Sequence, residues 1–135
     1  MLIGKFSFKR IGITDLGEIF RPYAQVIVFS KKRNEWFPIE MVVDTGADYT
    51  MLPKRYADLL GINREKDCLC KTTLGIGGSE NVYFYKPLQV RIGKWDSEIP
   101  VGFLGRDDIP ALLGRLAFLE ALKVIFYHRY VTFMI

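Results

Sequence analysis

The sequence predicts a mainly all-β domain with antiparallel pairing, folded as a small closed β-barrel with one or two short helices. Three observations carry that expectation. Apolar residues recur with a period of two, in segments rich in β-branched and aromatic side chains. Turn-forming residues break those segments at short intervals. Only two stretches, both short, have a helical composition, too little for a parallel sheet with helical crossovers.

The elements follow in order. Lys5-Phe6-Ser7-Phe8-Lys9 alternates strictly, as a strand with one buried face does. Residues 23–29 and 36–43 read as two strands joined by a polar hairpin turn over 30–35, and the second strand delivers Asp44 at its end. Residues 49–52 are short and extended. Pro53 suits the first turn of a helix, 54–60 carry helix formers, and Gly61 supplies the stop. Residues 71–74 and 82–92 read as strands flanking Gly75-Ile76-Gly77-Gly78, and 97–104 as another. A loop over 106–110 holds Asp107 and Asp108, adjacent acids that read as solvated. Leu112-Leu113-Gly114 comes next, and 115–122 reads as a second helix. Residues 123–127 and 130–135 form a last hairpin turning at His128-Arg129. No repeat, low-complexity tract or linker interrupts the run, so 1–135 is expected to be a single domain.

Composition bounds the function. Half of the residues are apolar and 14% aromatic, which supports a real core and argues against disorder. The apolar stretches are short and broken by charges, so none is expected to span a membrane. Met1-Leu2-Ile3-Gly4 runs straight into Lys5 without the apolar block of a secretory signal, and a cytoplasmic protein is the expectation. The net charge of +4 comes from 19 basic and 15 acidic residues that are scattered, apart from Lys31-Lys32-Arg33. That trio precedes Asn34 and reads as a solvated hairpin tip rather than a nucleic-acid patch. Cys68 and Cys70, two apart on a strand, are poorly placed for a mutual disulfide. With one distant histidine they also fall short of a zinc set, so reduced thiols and no metal are expected.

The chemically pointed stretch is Val42-Val43-Asp44-Thr45-Gly46-Ala47-Asp48. Taken alone, Asp-Thr-Gly is short enough to arise by chance, as a turn whose Asp caps local amides. Val42-Val43 before the acid and Ala47 after it are poor company for a solvent-facing turn. One carboxylate of this kind is a weak catalyst, whereas two sharing a proton place an acid beside a base and can activate water against an amide. The chain has one such motif, so a second copy of the chain would have to supply the other acid.

With these residues in place, the chain resembles the retropepsin-like (retroviral-type) aspartic proteases, and its plain N-terminus resembles their non-viral single-domain branch. The matching stretches are Asp44-Thr45-Gly46-Ala47-Asp48, the glycine-rich Gly75-Ile76-Gly77-Gly78, and Leu112-Leu113-Gly114-Arg115, in the family's order and at similar spacing. The resemblance covers 21–135 and leaves 1–20 as an N-terminal extension of unclear role. It implies a homodimeric aspartic endopeptidase with no metal or cofactor, acting on extended peptides or unfolded protein with apolar side chains beside the cut. Asp44, Thr45 and Gly46 would be the catalytic triplet, with Thr45 bracing the two loops across the two-fold axis. Ala47, Asp48, the flap residues Gly75, Ile76, Gly77 and Gly78, and the pocket wall Leu112 would bind substrate. Arg115 would pair with Asp48, and Arg21 would reach Asp48 of the second copy. Ala47 stands where some relatives carry a hydroxyl, which implies an optimum less acidic than that of pepsin-like enzymes. The family also interleaves terminal strands, so 131–135 is expected to be a dimer seam that would otherwise leave an exposed edge.

Two rival readings stand beside this one. A non-catalytic dimeric peptide-binding module on the same fold would keep the cleft without turnover. A basic β-barrel could bind nucleic acid through Phe6, Phe8 and scattered cations, although a core-facing strand explains those two aromatics more simply.

Overall fold

The structure is a computed structural model that describes residues 1–75 and 77–135. Strands dominate it: β1 (Leu2–Ser7), β2 (Lys9–Thr14), β3 (Gly17–Arg21), β4 (Tyr23–Ser30), β5 (Glu35–Val43), β6 (Thr50–Leu52), β7 (Leu69–Gly75), β8 (Gly78–Ile92), β9 (Trp95–Leu104), β10 (Leu112–Leu113), β11 (Lys123–Tyr127) and β12 (Tyr130–Met134). Two helices, α1 (Lys54–Leu60) and α2 (Arg64–Asp67), sit between β6 and β7. The largest sheet runs β4-β5-β10-β6-β9-β8-β7; a second runs β1-β12-β11; β2 and β3 pair only with each other.

The period of two explains the core. β4 buries Ala24, Val26 and Val28 on one face and exposes Gln25, while β5 buries Ile39, Met41 and Val43. These side chains join Phe103, Leu113, Phe118 and Phe133 in one cluster. Helix α1 has no cap from Pro53 itself. The loop after β9 caps it instead: Lys54 N–H donates to Arg106 O at 3.0 Å and Arg55 N–H to Asp107 Oδ1 at 2.8 Å. Asp107 is therefore a long-range cap and not merely a solvated acid. Gly61 ends the helix at φ 70°, a left-handed stop that a Cβ would strain.

Three expectations change. The large sheet curls until β4 meets β8, but only at Ile27↔Arg91 and Val28↔Val90, and β7 remains as an outer edge. It is a curled sheet with a free edge rather than the closed barrel expected, because β8 is 15 residues long and its first half projects with β7 as a hairpin. The helix expected over 115–122 is a series of turns ending in one 3-10 turn at Leu119–Ala121. Ala117 takes φ 60°, outside the right-handed helical region, and no regular ladder follows: Phe118 N–H donates to Arg115 O at 3.0 Å and Leu119 N–H to Gly114 O at 3.3 Å.

The segment 1–20, whose role the sequence leaves unclear, pairs with the rest of the chain through β1. β1 pairs with β12 over Leu2↔Met134 to Ser7↔Tyr130, and β2 and β3 form a hairpin. Finally, β12 is the central strand of its sheet, with β1 on one side and β11 on the other, and its Val131 and Phe133 are fully buried. The dimer seam expected at 131–135 is thereby corrected, because that strand has no free edge to offer.

Candidate active site

The loop at Asp44 is pinned where it leaves β5. Val43 N–H donates to Pro22 O at 2.8 Å and Asp44 N–H to Leu113 O at 3.0 Å. β10 runs parallel to β5 with Leu112 beside Val42 and Leu113 beside Val43, so the acid emerges from a three-strand junction. Gly46 N–H then donates to Asp44 Oδ1 at 2.9 Å and Ala47 N–H to Asp44 O at 3.2 Å. This is an Asx turn that aims the carboxylate along the loop. A Cβ on Gly46 would lie 3.3 Å from Asp44 Oδ1, so glycine lets the amide approach the acid. Asp44 and Ala47 are half-buried, and Thr45, Gly46 and Asp48 are exposed. Among the described residues the Asp44 carboxylate forms no ion pair, and its one hydrogen bond leaves acceptor capacity open.

Arg115 fastens the loop from behind. Its Nη1 donates to Thr45 O at 2.8 Å and its Nη2 to Asp48 Oδ1 at 2.5 Å. One planar guanidinium thus holds a carbonyl next to Asp44 and the acid four residues on, a fork that lysine cannot reproduce. The ion pair itself is solvent-exposed on both sides, so its contribution is positional more than energetic. Arg21 is placed differently: it ends β3 opposite Lys9, is exposed, and forms no ion pair among the described residues.

One residue of this construction escapes a reading of the sequence. Thr50 is fully buried, and its Oγ1 accepts the Gly114 N–H at 3.1 Å. Gly114 has to be glycine, because a Cβ there would overlap the Tyr49 carbonyl and lie 2.8 Å from Thr50 N. The hydroxyl and the glycine together lock the chain just ahead of Arg115. A threonine after Tyr49 in a short strand gives no local hint that it faces a strand 64 residues away.

The glycine-rich segment is the tip of the β7–β8 hairpin, with Gly75 opposite Gly78 and Gly77 in the turn. Gly78 has φ 112°, which favours glycine. Ile76 lies outside the described residues. A cavity of about 350 Å³ opens between this hairpin and the strand after the Asp44 loop, lined by Met51, Leu74, Gly75, Gly78, Glu80 and Arg106. Arg106 Nε lies 2.9 Å from Glu80 Oε1 and 3.3 Å from Asp108 Oδ1, tying the hairpin to the loop after β9. Tyr49, just past the Asp44 loop, stacks edge-on against Phe84 of β8 with ring centroids 4.9 Å apart. Leu112 is half-buried between Val42 and Met51. A cavity of about 370 Å³ lined by Lys32, Gly61, Asp67 and Tyr85 holds none of these residues.

The thiols lie apart from the loop. Burial pushes the Cys68 thiol up to about 11, reinforced by Asp67 and opposed by Arg64, and Cys70 is exposed. Among the described residues no three His, Cys, Asp or Glu side chains gather as a metal site, and no helix is long and apolar enough to cross a membrane.

The crystal structure of a retropepsin-like aspartic protease from Rickettsia conorii superposes with a TM-score of 0.66 at 21% identity, covering 96% of this chain and 98% of that one. At that identity the likeness shows the fold. No curated protein sequence matches the chain. The sequence profile described as aspartyl protease matches residues 32–116, well over half of the chain and inclusive of the Asp44 loop, the glycine-rich hairpin and Arg115. The chain belongs to the aspartyl protease family.

Proposed function

We propose that the chain is a homodimeric aspartic endopeptidase whose two Asp44 carboxylates, one from each copy, activate a water against a peptide bond. The observation that carries the reading is the single acid presented by an Asx turn at the end of β5, with its loop fastened by Arg115. Family membership and the retropepsin-like fold support it.

In this mechanism one Asp44 carboxylate takes a proton from water while its protonated twin donates to the scissile carbonyl oxygen. The product of attack is a tetrahedral diol, and no covalent acyl-enzyme forms. Two carboxylates this close titrate as a pair. The β7–β8 hairpin serves as the flap, donating main-chain hydrogen bonds to an extended peptide and excluding water when closed. Leu112 and Ala47 border the peptide's apolar side chains. Thr45 braces the loops across the axis, and Arg21 of one copy reaches Asp48 of the other.

The test is incubation of the purified protein with a mixed peptide library, read by mass spectrometry. Cleavage between apolar residues is expected, and Asp44→Asn should abolish it while leaving the thermal melt unchanged. Cleavage that survives in Asp44→Asn overturns the assignment. A folded, dimeric wild-type protein that captures peptides without cutting them would identify a binding module instead.

A further inference from the structure

The β2–β3 hairpin carries four aliphatic side chains that pack on no core element among the described residues. Ile11, Ile13, Leu16 and Ile19 are 44, 70, 92 and 38% exposed, and neither strand buries a single residue. Among the described residues the hairpin pairs with no third strand and packs substantially on no other element. Within the hairpin Arg10 Nε lies on Glu18 Oε2 at 2.8 Å and Leu16 N–H on Thr14 Oγ1 at 3.1 Å; its base is tied to the body by the Lys9–Glu40 ion pair and by Arg129 over the Phe20 ring at 3.7 Å. A two-stranded hairpin alone in water is marginal, and its four exposed aliphatic side chains, divided between two faces with Ile13 beside Glu18 and Ile19 beside Gly12, are apolar surface that something covers.

Its position says what. β3 ends at Arg21, and the next residue, Pro22, accepts the Val43 N–H at 2.8 Å. Tyr23 is paired with Val42, so the hairpin's root stands two residues from Asp44. At roughly 3.3 Å per residue that root lies on the order of 10 Å from the Asp44 carboxylate. The proposed function requires that carboxylate to meet its twin on a two-fold axis. An arm rooted there has a reach of about 20 Å, long enough to meet the second copy. The C-terminal strand cannot be the seam, since both of its edges are already paired within the chain. We infer that the β2–β3 hairpin is the dimerisation arm, its Ile11, Ile13, Leu16 and Ile19 covered by a second copy of this chain. The inference rests on the proposed dimeric site. In a two-fold pair each chain gives and receives the same contact, so the two arms contribute twice to the buried surface. That doubling matters against the roughly 800 Å² per partner that a stable interface needs.

Two variants test it, and both should fold, because none of the altered residues belongs to the core cluster and Phe20, under Arg129, meets the rest of the chain only at the base of the hairpin. One is Ile13→Glu with Leu16→Glu. The other replaces 10–20 with Asn-Gly, a short closure between Lys9 and Arg21, which are already paired opposite each other. Each is followed by sedimentation, circular dichroism and peptide cleavage beside the wild-type chain. The expected result is a folded monomer, at concentrations where the wild type is a dimer, with cleavage lost. A dimeric, active wild type whose two variants remain dimeric and active overturns the arm alone and moves the seam to the free edges of β1 or β11. A monomeric, inactive wild type overturns the dimeric protease itself. Binding of the wild type to anionic vesicles through the arm, with dimerisation unaffected in the variants, assigns the surface to a membrane and also overturns the inference.

Discussion

Replacing Thr50 with valine should loosen the active-site loop without changing the volume of the core. Thr50 is fully buried, and its hydroxyl accepts the Gly114 N–H at 3.1 Å. Valine has the same shape but offers a methyl where the acceptor was. The Gly114 amide is then stranded in a site that no water reaches, which costs about 1–3 kcal/mol. For a chain of this size that corresponds to a melting point lower by about 3–15 °C. The consequence for function is larger than the figure suggests, because Gly114 precedes Arg115 and a slackened Gly114 lets the guanidinium drift from the Thr45 carbonyl. Thr50→Ser is the control: it keeps the oxygen and loses only a methyl, at about 1 kcal/mol. Urea unfolding gives the stability, and hydrogen exchange reads the Gly114 amide directly. Protection of that amide should fall in the valine variant and persist in the serine variant. A valine variant as stable as the wild type, with the Gly114 amide still protected, would refute the lock.

Three further outcomes follow from the same geometry. Gly114→Ala should cost more than Thr50→Val, because the added Cβ meets the Tyr49 and Thr50 backbone rather than a side chain that can turn aside; overpacking of this kind costs about 1–3 kcal/mol or more, read as a lower urea midpoint. Arg115→Lys should keep stability within about 1 kcal/mol, as befits an exposed pair, yet lower kcat, since one ammonium cannot hold both Thr45 O and Asp48 Oδ1. Cys70 should react with iodoacetamide well before Cys68, whose thiol is held up to about 11 by burial. The folded chain then keeps a proton on Cys68 that the unfolded chain releases, so stability should fall as pH rises from about 9 towards 11 and recover in Cys68→Ser; a flat profile over that range would contradict the shift.

The Asp44 loop was legible because its signal is local: two apolar residues, an acid and a glycine at a strand end. Strands β4, β5, β9, β11 and β12 and helix α1 were legible for the same reason, each carrying its own periodicity or punctuation. What stayed hidden depends on partners far along the chain. The stretch 115–122 has the composition of a helix, but Ala117 takes φ 60° where the stretch docks on the Ala47 and Asp48 carbonyls, and a left-handed residue ends a right-handed helix. Thr50 looks like any strand threonine until Gly114 is placed against it. The C-terminal strand reads as an exposed edge until the first strand pairs with it. The β2–β3 hairpin was missed because its apolar residues do not alternate into a core. Its only cue is Thr14-Asp15-Leu16-Gly17, where Gly17 takes φ 131°.

The account stands on one acid from each of two copies forming one site, and subunit mixing tests that most directly. Wild-type chains are dissociated, combined with a threefold excess of Asp44→Asn chains, and allowed to reassociate. If the site needs two Asp44 side chains, activity per wild-type chain should fall to about one quarter by mass action, since most wild-type chains then pair with an inactive partner. Activity per wild-type chain that is unchanged by the excess would mean that each chain carries a complete site, and would contradict the account.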